Sequence, residues 1–353
     1  MKLTSLLLVF LTMLSLVTAF NSCTANQDVQ NQSEEITENF ENGSKDAVTD
    51  KKPKETDDLK LTDEAGVIEF SLLSNGTYAV KKLLDTNATE ISIPDKFNEK
   101  AVTKILRNAF KGATKLTSVV IPNSINEIVE GAFSGCSALE SITVPFVGQS
   151  RTKAMPFGHF FGTVSYAGGE KVTQYYNAGE YDKPKVYYIP KSLKKVTVTD
   201  NTIQWRAFSF CLMLEEIVIG DGVKAIHPTV FAGCENIKSI TIGAGVTKIE
   251  SECFELLYGL KNIVIGKNVQ TIGDHAFYHC KSLESVVIPR SVTTIDKYAF
   301  AACTSLKSIV FECKTGWYRD YGPYSDTDMN VDDPAVNAEN LSKKYTCDRW
   351  KRK

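Results

Sequence analysis

The chain has 353 residues, 43% of them hydrophobic, and a formal net charge of −2. That is enough apolar material for a large core. The near-neutral balance, with no basic run interleaved with aromatics, argues against a nucleic-acid binder, and the basic end at Arg349 and Lys351 to Lys353 reads as a solvated terminus.

The first predicted element is a targeting segment. Met1-Lys2 is a short positive start, Leu3 to Phe20 is apolar, and Asn21-Ser22-Cys23 follows. This order reads as a secretory signal over residues 1–22. The competing reading is an uncleaved anchor, because the apolar run is at the lower limit for spanning a bilayer. Cys23 follows the small Ser22 and precedes a polar stretch, the position of an acylated cysteine in a bacterial lipoprotein. Phe20 and Asn21 depart from the usual box, and cleavage after Val17-Thr18-Ala19 is the alternative. A diacylated Cys23 would anchor the chain stably and would be its one contact with a membrane. Residues 23–60 then read as a linker. Between 24 and 60, ten acids stand against five lysines with almost no hydrophobic periodicity, so the segment buries too little apolar surface to order itself.

A repeat begins next. Ala-Phe or a close variant recurs at Phe110, Phe133, Phe208, Phe231, Phe254, Phe277 and Phe300, and five of the intervals are 23 residues. A fixed period of this size marks a solenoid. In the unit Ile272 to Thr294, Leu283-x-x-Val286-x-Ile288 alternates inward and outward as a strand does. One coil cannot cover its own apolar slots, so neighbouring coils must stack on it and share a core. The spacing predicts strands at 91–93, 116–121, 139–144, 193–198, 214–219, 237–242, 260–265, 283–288 and 306–311. Paired in parallel at ~4.8 Å each, these strands make one curved sheet about 40 Å long. The Ala-Phe-x-x-Cys segments predict short helical turns on the convex side. The expected fold is therefore an α/β-type repeat solenoid, a right-handed coil that is mostly β.

The pattern Ile-x-x-x-Ala-Phe-x-x-Cys-x-x-Leu-x-x-Ile-x-Ile-Pro-x-x-Val-Thr resembles the BspA-like, treponemal type of bacterial leucine-rich repeat, over roughly residues 65 to 313. Gly76-Thr77-Tyr78-Ala79-Val80 before Glu90-Ile91-Ser92-Ile93-Pro94 resembles that family's N-terminal capping hairpin. Asn337 to Trp350 resembles the C-terminal segment of treponemal members. The resemblance implies surface-exposed proteins that attach to host matrix components, host cells or other bacteria, and it implies no catalysis. The solenoid with its N-terminal cap is expected over 61–313, with 314–353 a cap or a tail.

Of nine cysteines, Cys136, Cys211, Cys234, Cys280 and Cys303 sit three residues after the repeat Phe. Ala113 and Leu257 fill the same slot, so it is a packing slot and its cysteines act as small hydrophobes. Cys313 and Cys347 lie outside the slots, where one bridge pinning the C-terminal segment is open.

The period breaks once, between Phe133 and Phe208, which are 75 residues apart. That interval reads as one further coil plus an island at 145–192, rich in aromatics. Two readings stand for these side chains: an island's own small core, or a Tyr-rich binding surface of the kind favoured for large contact at low entropic cost. On the second reading the candidate binding residues are Phe160, Phe161, Tyr166, Tyr175, Tyr176 and Tyr187, with the island on one edge of the stack.

The outward strand positions are mostly small and neutral, ladders of Ser, Thr and Val with few charges, Lys195 and Glu216 among them, and they add Ser239, Thr241, Asn262 and Val264 to the candidates. Either they contact a protein partner broadly, or they merely favour strands. His275 and His279 have the spacing of a metal pair without a clear third ligand. No Gly-x-Ser-x-Gly device and no Gly-rich phosphate loop is present. The expectation is a non-enzymatic module without metal or cofactor, exported and displayed at the outer membrane or cell surface, that binds host or bacterial surface or matrix proteins. The alternatives are a structural or decoy scaffold, or a periplasmic carbohydrate-binding module whose aromatics stack on a glycan.

Overall fold

The computed structural model describes residues 61–63, 65–177, 182–320 and 329–353. The signal, Cys23 and the linker lie outside the described residues. Each coil runs through a concave strand, a rim segment and a convex turn. The nine concave strands are Glu90–Ser92, Ser118–Val120, Ser141–Val144, Lys195–Ile203, Glu216–Ile226, Ser239–Ile242, Asn262–Val264, Ser285–Ile288 and Ser308–Phe311. Those before Ser285 form one seven-stranded sheet, and the other two pair separately. The single expected sheet is thus interrupted between Val264 and Ser285.

Most strands also start later than the apolar pattern predicts. Leu116, Leu139 and Leu283 are fully buried, yet their amides close turns onto Ala113, Cys136 and Cys280 at 3.1–3.3 Å. A buried leucine here ends the convex turn instead of opening the ladder. Register then follows the repeat. Ile217, Ile240 and Ile263 are paired neighbours facing the core, and Thr241 pairs with Val264 facing out.

The rim carries a second parallel ladder that the sequence does not announce. Lys248–Ile249, Thr271–Ile272 and Thr294–Ile295 pair in turn, as Lys100–Ile105 does with Glu127–Ile128. Two-residue strands are too short to show a period of 2.

The convex turns are not helical. In every regular coil the residues two before and two after the repeat Phe have positive φ: Asn108 and Gly112, Gly131 and Gly135, Arg206 and Phe210, Thr229 and Gly233, Glu252 and Leu256, His275 and His279, Tyr298 and Ala302. Two left-handed corners bend each turn around its Phe, and the turns join coil to coil through backbone bonds such as Phe254 N–H to Ala276 C=O at 2.9 Å. The Phe rings stack at the centre, with Phe208–Phe231 at 5.3 Å, Phe231–Phe254 at 5.8 Å, Phe254–Phe277 at 5.2 Å and Phe277–Phe300 at 5.1 Å. Such pairs contribute about 0.5–1.5 kcal/mol each beyond area burial.

The slot cysteines pack beside this column as free thiols. Cys136, Cys234, Cys280 and Cys303 each donate to the carbonyl of the repeat Phe one coil earlier, at 2.9–3.2 Å. Burial pushes the Cys136 and Cys234 thiols up to about 12, which makes them inert. Cys313 and Cys347 are also free, so no bridge between these two pins the C-terminal segment.

Both ends are closed. Ile68–Leu72 and Tyr78–Leu83 form an antiparallel hairpin at the N-terminal end, and Tyr78–Leu83 continues in parallel with Lys100–Ile105. At the other end Arg349–Arg352 pairs antiparallel with Thr294–Ile295 and with Trp317–Asp320. Trp317 and Trp350 are buried against Phe311. The helix Pro334–Glu339, capped by Asp333, sends the Asn337 amide to the carbonyl of Ile309 at 3.0 Å. The segment after 313 is therefore a packed cap where it is described. Among the described residues no helix is long and apolar enough to cross a membrane.

Candidate interaction surface

Alternation in the concave strands leaves two outward ladders. One runs through Ser118, Ser141, Lys195, Glu216, Ser239, Asn262, Ser285 and Ser308, the other through Val120, Thr143, Thr197, Val218, Thr241, Val264, Val287 and Val310. Four valines are well exposed: Val120 at 43%, Val264 at 57%, Val287 at 49% and Val310 at 38%. Three of them follow one another in successive coils. Of the concave candidates, Ser239 is half-buried and Thr241, Asn262 and Val264 are exposed, and pairing sets Ser239 beside Asn262 and Thr241 beside Val264.

Charge enters within this face, at Lys195 and Glu216 of the first ladder, and just before the strands. Glu215 takes Lys194 at 3.1 Å and Lys238 at 2.5 Å, and Glu216 takes Lys195 at 2.7 Å. The bonds from Lys238 and Lys194 hold the Glu215 carboxyl below the usual carboxylate range. A shallow depression of about 370 Å³ at the N-terminal half of the face is lined by Glu90, Thr117, Ser118, Glu140, Ser141, Lys194 and Lys195. The outward alternation places Lys195 and Glu216 on this face, but their pairing with each other, and that of Glu215 with Lys194 and Lys238, joins residues one coil apart.

The island is on the other side of the molecule. Its first part is a coil in disguise. The short 3₁₀ segment Phe157–Phe160 joins the convex ladder: Gly131 N–H donates to His159, Phe133 to Phe160, and Phe157 to Ala207, all at 2.8–2.9 Å. Phe161 and Phe157 fill the gap in the Phe column, with Phe133–Phe161 at 6.5 Å, Phe157–Phe161 at 5.4 Å and Phe157–Phe208 at 4.9 Å. What is truly inserted is an antiparallel hairpin, Gly169–Asn177 with Asp182–Pro190.

Gln174 locks that hairpin onto the convex turns. Its side-chain carbonyl accepts from the Gly158 amide at 2.8 Å, and its amide donates to the Ser209 carbonyl at 2.8 Å. The side chain is fully buried and stands where regular coils have a direct backbone bond. A Cβ at Gly158 would be 2.5 Å from Tyr187, so only glycine allows this approach. Lys185 adds an ion pair to Glu130 at 2.7 Å.

These positions correct the aromatic candidates. Phe160, Phe161 and Tyr187 are 0% exposed and belong to the core, so none presents a surface to a ligand. Tyr166 is half-buried and donates its hydroxyl to the carbonyl of Tyr188 at 3.1 Å. Burial, with the nearby Cys136 adding to it, pushes that hydroxyl's pKa up. Tyr175 is half-buried with its ring 6.4 Å from Phe210. The side chain of Tyr176 lies outside the described residues. Because the hairpin packs on convex turns, it does not extend the concave face into one joint surface as expected. His275 and His279 sit at the two corners of one turn, His275 bonded to Asp274 at 2.9 Å, and no group of three or more metal-ligating side chains occurs among the described residues.

Stacked coils, a parallel concave sheet and an aromatic column define a leucine-rich-repeat solenoid. The chain belongs to the BspA-type leucine-rich-repeat family, whose model matches residues 80–155 and 186–319 in six copies. The unmatched stretch between these contains the Phe157–Phe160 segment and most of the hairpin. The chain is similar to the crystal structure of a leucine-rich-repeat protein of T. pallidum, at 16% identity over 69% of this chain and 90% of that one, with a TM-score of 0.34. It is also similar to one from Bacteroides ovatus, at 22% identity over 70% of each chain and a TM-score of 0.32. A third similar structure is a leucine-rich cell surface protein of Faecalibacterium prausnitzii, at 17% identity over 70% of this chain and 94% of that one, with a TM-score of 0.25. No curated protein matches the chain.

Proposed function

We propose that this protein is a non-enzymatic interaction module held at the cell surface by a lipid on Cys23, and that it mediates adhesion by binding host or bacterial surface or matrix proteins through its concave sheet. The observation that carries the reading is the run of exposed Val264, Val287 and Val310 on successive concave strands. Exposed aliphatic groups flanked by hydroxyl ladders suit a broad protein contact with an apolar centre and a polar surround. The paired charges on and beside this face add register more than affinity.

The test uses intact cells that express the full chain, layered on immobilised matrix proteins. Val264→Glu with Val287→Glu is expected to abolish adherence while surface antibody signal stays unchanged. Undiminished adherence of that variant, or protection of the repeat region from protease on intact cells, overturns the reading.

A further inference from the structure

The island hairpin has one largely blunted edge and one open edge. Along the returning strand, Asp182–Pro190, the Tyr188 amide is spent on the carbonyl of Gly162 at 3.1 Å and Pro184 has no amide to offer, so of the three outward positions only Val186 keeps an amide without an acceptor among the described residues. That bond also fixes the parity of the ladder. Tyr188 pairs with Lys171, so in an antiparallel pair with Tyr188 turned outward, Lys171 is turned outward as well. Gly169 confirms the parity, because its amide bonds outside the hairpin to Tyr166 at 3.0 Å.

The outgoing strand therefore directs the backbone groups of Lys171, Thr173 and Tyr175 away from its partner, spaced about 6.8 Å apart. Among the described residues none of these three amides has an acceptor. The exposed edge strand of a natural sheet is normally blunted or covered, as the Asn337 helix covers the last concave strand of this chain.

We propose that this edge is a second binding site, one that takes an extended polypeptide segment of another protein as a third strand of the hairpin. Only another extended backbone can satisfy a row of alternating amides and carbonyls at that spacing. The position also selects a thin occupant. Gln174 reaches Ser209, and Tyr175 approaches Phe210, so the open edge faces the coils that follow. Those coils continue through Phe231, Phe254, Phe277 and Phe300, and their convex turns floor the space beside the strand. The occupant lies on this floor as one extended strand. The floor next to the edge is apolar, with Phe210 half-buried and Leu212 48% exposed. The preferred segment thus carries an aliphatic side chain at the positions turned toward the solenoid. This site is independent of the concave face.

The probe is a labelled peptide, Lys-Val-Thr-Val-Thr-Val-Lys, added to the purified full chain. Saturable binding is expected, with the amides of Lys171, Thr173 and Tyr175 passing from free to slowed hydrogen exchange. N-methylation of alternate peptide amides is expected to abolish binding for one parity and spare it for the other. Thr173→Pro removes an outward amide without touching the hairpin's own bonds, and is expected to weaken binding at least tenfold with an unchanged melting temperature. Absence of saturable binding at millimolar peptide, equal effects of both N-methylated sets, or unchanged exchange at the three amides overturns the proposal. The exchange experiment needs only the unaltered protein, so it decides the matter even where the proline variant does not fold.

Discussion

The coils from Phe208 onward and the coil that contains the island reach the same packing by different routes. In the regular coils one Phe per 23 residues stacks on the next, and each convex turn bonds directly to its neighbour. In the island coil two rings, Phe161 and Phe157, share the place of one, and a side-chain amide from the hairpin substitutes for a backbone bond. A solenoid therefore conserves the volume and the hydrogen bonds of each layer, not the residues that supply them. An insertion is tolerated where it returns what it displaces.

The strongest way to break this comparison is to empty the column on each side of it. Phe157→Ala and Phe231→Ala each remove a fully buried ring, at a cost of about 3–5 kcal/mol. Denaturant unfolding is expected to give losses within about 1 kcal/mol of each other. A much smaller loss for Phe157→Ala would mean that Phe161 alone fills the layer and that the doublet is redundant.

The second effect belongs to the island alone. Gln174→Ala leaves the Gly158 amide and the Ser209 carbonyl buried without partners, at about 1–3 kcal/mol for each unsatisfied group. Calorimetry is expected to show that loss. Hydrogen exchange is expected to show the hairpin opening before the coils. If the hairpin and coils still open together, Lys185, Tyr166 and Tyr187 suffice to hold them.

Much of this was legible in the sequence. The nine concave strands, the seven repeat Phe positions and the packing role of the slot cysteines all follow from a 23-residue period, because that period is a direct record of burial. Hydrogen bonding is not recorded in the same way. The apolar pattern placed Leu116, Leu139 and Leu283 in strands because they are buried, although their amides close turns. The left-handed corners are signalled where glycine occupies them, as at Gly131 and Gly135, but not at Glu252, His279 or Ala302. The island leaves two readings open for a similar reason. Ten aromatics in a non-repeating stretch fit a core or a surface equally when the layer they complete cannot be seen, and Gln174 gains its role from partners 16 and 35 residues away.

A third effect is confined to a regular coil and to pH above the ordinary carboxylate range. Burial raises the Glu255 carboxyl to about 7, with Glu252 and Asp274 adding to the rise and His275 opposing it. A carboxyl whose folded pKa is raised favours folding only while it is protonated. Its penalty is absent near pH 4, grows as pH rises through the interval between the unfolded value and 7, and levels off above that. Glu255→Gln is expected to match the unaltered protein at pH 4 and exceed it by about 2 kcal/mol at pH 8. Urea midpoints at the two pH values read this directly, and a constant offset at both would assign the effect to packing instead.

The smallest effect tests whether the corners of the regular coils are imposed by the core. Thr229 is β-branched yet holds a φ of 54°, and its hydroxyl is buried without a partner. A left-handed conformation costs a residue with a Cβ about 1–2 kcal/mol, which glycine escapes at the price of its own entropy. Thr229→Gly is therefore expected to stabilise the chain by about 1 kcal/mol, with Thr229→Asn giving part of that gain, since Asn tolerates this region and keeps its Cβ. Gly233, at the other corner of the same turn with a φ of 74°, marks what the geometry prefers. A gain for both variants means that stacking the Phe column forces the corner and the sequence at 229 merely endures it. A loss for both means that the threonine methyl contributes more to the layer than the strained backbone costs, and that the corners, like the island, are fixed by what fills the space between coils.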